Sequence, residues 1–156
     1  MRNRQKGFSL IELLIVVAII LIIAAIAIPN LLRSRMAANE ASAVGSLRTI
    51  NTACVTYSST YGVGFPSNLS NLGTSGTASS TSADLIDNVL AGGAKSGYTF
   101  TYAAGTAAAG VVPTYTLHGD PITPGQTGQR YFFTDQSGVI RFNPSAAATN
   151  TDTPIS

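Results

Sequence analysis

Glu12 is the residue whose chemistry most needs explaining. It sits in a run from Phe8 to Ile28 in which Ser9 is the only other polar side chain. A carboxylate within an apolar helix costs about 2.5 to 3.5 kcal/mol on membrane-insertion scales, so something must compensate it. Near a helix start, the side chain can snorkel to the headgroups with help from the first-turn dipole. The alternative is an ion pair with a positive group brought by another copy of the chain. Gly7, just before the run, has no side chain to obstruct a peptidase and can leave helical geometry. A plain helix-start glycine is the competing reading.

Three other groupings could carry chemistry. His118 is the only histidine, and Asp120 lies two residues on. A metal or catalytic site would need a third ligand or a nucleophile at a suitable spacing, and none is there, so a strand-end side chain beside a turn is the favoured reading. Gly92-Gly93-Ala94-Lys95-Ser96 faintly resembles a phosphate loop, but the glycine before the lysine is missing and no buried strand leads into it. Cys54 is the only cysteine and cannot form an internal disulfide or a zinc site. Its place in a helical repeat favours a small packing residue over a reactive thiol.

These residues depend on the elements that hold them. The 21 residues from Phe8 to Ile28 span about 31 Å as helix, which matches a bilayer core of about 30 Å. Arg2, Arg4 and Lys6 precede the run and should stay cytoplasmic, sending the chain beyond Ile28 to the outer side. A cleaved secretory signal would be shorter, although Ala24, Ala25 and Ala27 leave room for one. Charged residues make up 10% of the 156 residues, well under the roughly 25% of ordinary soluble domains. Of the 9 Lys and Arg, 3 are in that N-terminal cluster, which leaves 6 facing 7 Asp and Glu. So near-neutral a remainder carries no electrostatic footprint for nucleic acid.

The stretch Lys6-Gly7-Phe8-Ser9-Leu10-Ile11-Glu12-Leu13, followed by an unbroken apolar run, resembles the leader and first helix of the type IV pilin superfamily, which includes the pseudopilins of type II secretion. The resemblance covers the first 30 or so residues. It implies a structural role without enzymatic activity or cofactor. A prepilin peptidase would cut after Gly7 and methylate the new amine of Phe8, and Glu12 would attract the Phe8 amine of a neighbouring subunit as the helix enters a fibre. The implied partners are further copies of the chain, the peptidase, an inner-membrane assembly platform with its ATPase, and minor pilins. The precursor would cross the bacterial inner membrane once with a periplasmic head, and end in a surface pilus or a periplasmic pseudopilus. Tyr61-Gly62 through Phe65-Pro66 and Gly128-Gln129-Arg130-Tyr131-Phe132 also look like phrases of pseudopilins and short pilins. Many major pilins have a C-terminal cysteine pair that this chain lacks, which keeps the pseudopilin as an alternative. Some pseudopilins hold calcium beside their last strands, where Asp120 and Asp135 could offer oxygens. Both also suit turns, and the turn reading is preferred.

Pro29 removes one helical hydrogen bond, which predicts a kink or local melting. Beyond it, Leu32, Ala37, Ala41, Val44, Leu47, Ile50 or Asn51, Cys54 and Tyr57 or Ser58 recur at three- and four-residue steps, so an amphipathic helix is expected to about Tyr61. Gly62, Gly64 and Pro66 then end it. Arg33, Arg35, Glu40 and Arg48 lie off that stripe; they could pair between subunits, but a solvated face is the preferred reading. A short helix is expected around Leu85, Ile86, Val89 and Leu90, capped near Ser82 or Asp84. Tyr98, Phe100 and Tyr102 alternate with threonines as in a strand, and Tyr115 with Leu117 repeats the pattern. Arg130–Thr134 and Val139–Phe142 are two more strands, joined by a type I turn over Asp135-Gln136-Ser137-Gly138. The expectation is an α+β fold, a long bent N-terminal helix on an antiparallel sheet of three or four strands. Its parts would be a leader (1–7), a membrane and assembly helix (8–29) and a head (30–156). A monomeric membrane-anchored enzyme or binding protein is the remaining alternative.

Overall fold

Helix-forming Leu, Ile and Ala dominate the segment after Ser9, and the computed structural model, which describes residues 7–155, begins helix α1 there. It runs Leu10–Tyr61, 52 residues. The helix is unbroken through Pro29, so the expected local melting does not occur. Proline removes a single bond, and the turns on either side keep theirs. The chain divides into two compact units between Arg35 and Met36. Leu10–Arg35 of α1 belongs to the first, and the rest of the helix to the second.

In the second unit, α1 buries Ala43, Ser46, Leu47, Ile50, Ala53, Cys54 and Tyr57. Ala37 and Ala41 are exposed, so the stripe is turned from the one expected at its start and begins at Glu40. Met36, Ala37, Ala38 and Ala41 offer more than one periodic reading there, and packing selects one. Against the stripe lies a six-stranded antiparallel sheet in which every neighbour in sequence is a neighbour in space. Its strands are β1 (Ala94–Lys95), β2 (Tyr98–Ala104), β3 (Tyr115–Pro121), β4 (Tyr131–Asp135), β5 (Arg141–Asn143) and β6 (Thr153–Pro154). The sheet exceeds three or four strands because β1 and β6 are two residues each, too short to show alternation.

Strand β3 is buried at every second residue, which puts Tyr115, Leu117 and Gly119 on the helix side and Thr116, His118 and Asp120 on the other. Tyr98, Phe100, Tyr115, Leu117 and Phe132 join the α1 stripe and Leu69, Leu72, Ile86 and Leu90 in one core. Fully burying each large side chain contributes about 1.5 to 3 kcal/mol. Phe133 and Ala148 are buried outside that cluster.

Connections follow local chemistry. Asp135 opens the β4–β5 turn, its Oδ1 accepting from Ser137 N at 2.9 Å, and Gly138 closes it at φ 74° with its N–H donating to the Asp135 carbonyl. The short helix α2 is Asn88–Ala91, with Asp87 as its cap in place of Ser82 or Asp84. Asp87 Oδ1 accepts from Leu90 N at 2.9 Å. Leu85 and Ile86 pack before the helix, outside any regular element, and Val89 is exposed.

Candidate functional site

The expected processing and assembly residues lie together at the start of the first unit. Gly7, Phe8 and Ser9 precede the helix and are exposed, Phe8 at 81%. A Cβ placed on Gly7 would meet nothing within 4 Å, so its backbone is open to an approaching active site. Ser9 N donates to Glu12 Oε2 at 2.8 Å, and Leu13 N donates to the Ser9 carbonyl at 3.2 Å. Glu12 thus closes the first turn as the reciprocal half of a capping box, where the helix dipole also favours negative charge. That bond uses one carboxylate oxygen and leaves the other for a second positive group. Arg2, Arg4 and Lys6 lie outside the described residues.

The helix behind Glu12 is apolar all round. An 18-residue window has a mean hydropathy of 3.3, and none of it is buried. Leu10, Leu13, Leu14, Val17, Ala18 and Leu21 form one open apolar face, while Ile11, Ile15, Ile19 and Ile22 are exposed elsewhere. A helix apolar on every side needs a non-aqueous surrounding, either lipid or other helices. Pro29 lies near its far end, inside the helix and exposed.

The other candidates do not converge. Asp135 pairs in register with Thr116, four positions from Asp120 on β3, which separates the two carboxylates by about 13 Å along the strand. Asp135 is held in its turn, whereas Asp120 lies within β3 and not in the turn expected of it, because its backbone pairs with Thr99. Asp120 has Oδ1 buried without a partner. Burial raises its pKa, and nearby His118 opposes that rise. His118 packs edge-on against Phe133, with centroids 5.1 Å apart. Gly92-Gly93 ends α2, with Gly93 at φ 78°, and Ala94-Lys95 is β1, so this stretch is a helix stop. Lys95 pairs with Asp87 at 3.0 Å. Cys54 is fully buried, and burial pushes its thiol up to about 12, so it stays protonated.

Two polar clusters in the second unit correct or extend the sequence reading. Glu40, expected on a solvated face, is 9% exposed. Its Oε2 accepts from Arg130 Nε at 2.8 Å, and its Oε1 accepts from Gln129 N at 2.9 Å and Arg130 N at 3.2 Å. Burial pushes the carboxyl pKa up, but these bonds and the Arg130 charge together outweigh it and hold the group below its ordinary 4.5. The Arg130 guanidinium also lies over the rings of Phe132 and Phe142, 5.5 and 5.4 Å from their centroids. The partners are 90 residues apart, so no local pattern announces the pair. Asn51 is the second cluster. Its Nδ2 donates to Thr134 Oγ1, and its Oδ1 accepts from the Tyr115 hydroxyl, both at 2.9 Å. The only sequence signal was an asparagine on the apolar stripe.

Comparison with known proteins places the resemblance where the chemistry lies. Residues 2–28 match the family model described as a prokaryotic N-terminal methylation motif. Over 40 residues the chain is 68% identical to the type IV wide pilus major component PilA4 of Thermus thermophilus, covering 26% of this chain and 30% of that protein. It is 50% identical over 50 residues to the type IV major pilin protein PilA of Myxococcus xanthus, covering 32% of this chain and 23% of that one. Over 58 residues it is 50% identical to a type IV major fimbrial protein FimA of Dichelobacter nodosus, covering 35% and 37% respectively. The chain therefore matches well under half the length of these curated relatives. No solved structure matches.

Proposed function

We propose that this chain, whose N-terminal segment is that of the type IV pilin superfamily, is the structural subunit of a type IV pilus fibre and not an enzyme. The observation that carries this reading is a helix with exposed apolar side chains on every side and Glu12 in its first turn, directly after the open Gly7–Phe8 bond. In the bilayer, lipid covers the helix. In the fibre, the helices of other copies do.

Hydrolysis after Gly7 removes Arg2, Arg4 and Lys6 with the leader and leaves an amine on Phe8. Methylation at that nitrogen keeps its positive charge. Each subunit then holds one cation and one anion close together at the edge of an apolar helix. The Phe8 amine of one copy neutralises Glu12 of the next, so neither charge is left alone in a low-dielectric core. A misplaced copy leaves Glu12 unpaired, and the same carboxylate thereby sets the axial position. The prepilin peptidase, the inner-membrane assembly platform with its ATPase, and minor pilins are the partners this cycle requires.

The curated relatives are pilus and fimbrial components, which favours a surface pilus over a type II secretion pseudopilus. A membrane-anchored periplasmic enzyme or binding protein would need a constellation of reactive groups in the head. Among the described residues the head's candidates do not converge, and His118, Asp135, Cys54 and the Gly92–Ser96 stretch are taken up by packing, a turn or a helix stop. The test is Glu12→Ala followed by electron microscopy of cell-surface fibres. At least a tenfold loss of fibres, with normal levels of membrane-held chain, is expected. Normal assembly of the variant would contradict the reading.

A further inference from the structure

The apolar segment of α1 ends in Leu31-Leu32-Arg33-Ser34-Arg35, and both arginines are exposed. Two residues of α-helix turn the side-chain direction by about 200°, so Arg33 and Arg35 leave the helix on nearly opposite sides. Neither forms an ion pair among the described residues. Glu40, the next acidic residue along the sequence, is held by Gln129 and Arg130 instead. From Leu10 to Leu32 the helix measures about 35 Å, against a hydrocarbon core of about 30 Å. With modest tilt, the apolar run is used up when the two guanidiniums arrive at the outer headgroups.

We propose that Arg33 and Arg35 form a phosphate-binding collar that grips the headgroups of the outer leaflet while the chain waits in the membrane. The proposal rests on the membrane-stored precursor of the proposed function. A guanidinium offers a planar fork of donors that matches two phosphate oxygens. A protein partner docks on one side of a helix and calls for charges gathered on that side. A headgroup layer surrounds the helix before other copies do, and it meets both arginines although they point in nearly opposite directions within about 3 Å of depth. Before cleavage, basic side chains therefore bracket the span, with Arg2, Arg4 and Lys6 inside and Arg33 and Arg35 outside. Removal of the leader releases the inner set alone, so the mature chain is held from the outer side, towards which it must leave.

The experiment uses the full chain, with its arginine guanidino carbons labelled with carbon-13, in vesicles of phosphatidylethanolamine and phosphatidylglycerol. Protease protection of the leader reports insertion, and carbon–phosphorus dipolar dephasing in solid-state NMR reports contact with lipid phosphate. The parent should dephase more than the R33Q/R35Q double variant, and each single variant should lose about half of that difference. Equal dephasing in an inserted parent and an inserted double variant overturns the collar alone. Coupling of Arg33 or Arg35 to labelled carboxylates of other copies, in place of phosphorus, also overturns it, in favour of a protein partner. A parent chain that fails to insert overturns the membrane-stored reading, and the collar with it.

Discussion

One helix serves two surroundings. Over Leu10–Leu32 almost every side chain is apolar and exposed, and among the described residues the single carboxylate, Glu12, is bonded only to the backbone of its own first turn. Over Met36–Tyr61 the same helix buries one stripe, and its carboxylate, Glu40, has partners on both oxygens. The second stretch is complete within the chain. The first leaves its apolar side chains exposed and, among the described residues, one Glu12 oxygen without a partner. Helical geometry is common to both, so what separates Glu40 from the assembly role proposed for Glu12 is whether the fold already supplies a counterion.

The comparison can be broken most forcefully in the core. Leu47 is fully buried, and Leu47→Ala should lower the stability of the second unit by about 2 to 5 kcal/mol. Leu14→Ala, in the exposed stretch, should leave it unchanged. Urea unfolding of the full-length variants in detergent, followed by near-ultraviolet circular dichroism, reads both. Equal losses from the two would mean that the stretches are not energetically distinct.

A smaller effect is expected at Asn51. Asn51→Ala leaves the Tyr115 hydroxyl and Thr134 Oγ1 without their partner in a dry interior, at about 1 to 3 kcal/mol for an orphaned group. The same unfolding measurement applies, and a loss below a few tenths of a kcal/mol would show that water or a rearranged neighbour replaces the amide.

Smaller still, and dependent on pH, is Glu40→Gln. The carboxyl pKa is lowered in the folded state, so its ion pair stabilises fully above the ordinary 4.5 and is lost as pH falls through the lower folded value. At pH 7 the variant should be less stable by about 1 to 2 kcal/mol, since Arg130 remains half-exposed and can be solvated. At pH 3 the gap should narrow. A gap independent of pH would assign the loss to packing.

Much of the fold was legible because local signals agreed with one another. Gly62, Gly64 and Pro66 come directly after a helix that does end at Tyr61, and the alternation of Tyr98, Phe100 and Tyr102 is that of β2. Asp135 to Gly138 is a turn by the chemistry of both its end residues. The features that escaped were long-range or too short to repeat. The partner of Glu40 is in a loop 90 residues away, and β6 consists of Thr153 and Pro154 alone. At Pro29, of the kink or local melting expected, the melting does not occur, since losing one hydrogen bond leaves a helix of 52 residues continuous. At the N-terminus, Gly7, Phe8 and Glu12 stood out because an acid beside an apolar run is conspicuous. Arg33 and Arg35 did not, because a solvated face accounts for exposed arginines until their opposed directions and the lack of an ion pair among the described residues are seen.

The central claim is that the first stretch of α1 is completed by other copies of the chain once the leader has gone. The measurement closest to it is the intact mass and N-terminal residue of the chain recovered from sheared cell-surface fibres. The account predicts a chain that begins at Phe8 and carries one added methyl group on its terminal nitrogen. Native chain that keeps Met1 and never enters a fibre would contradict it.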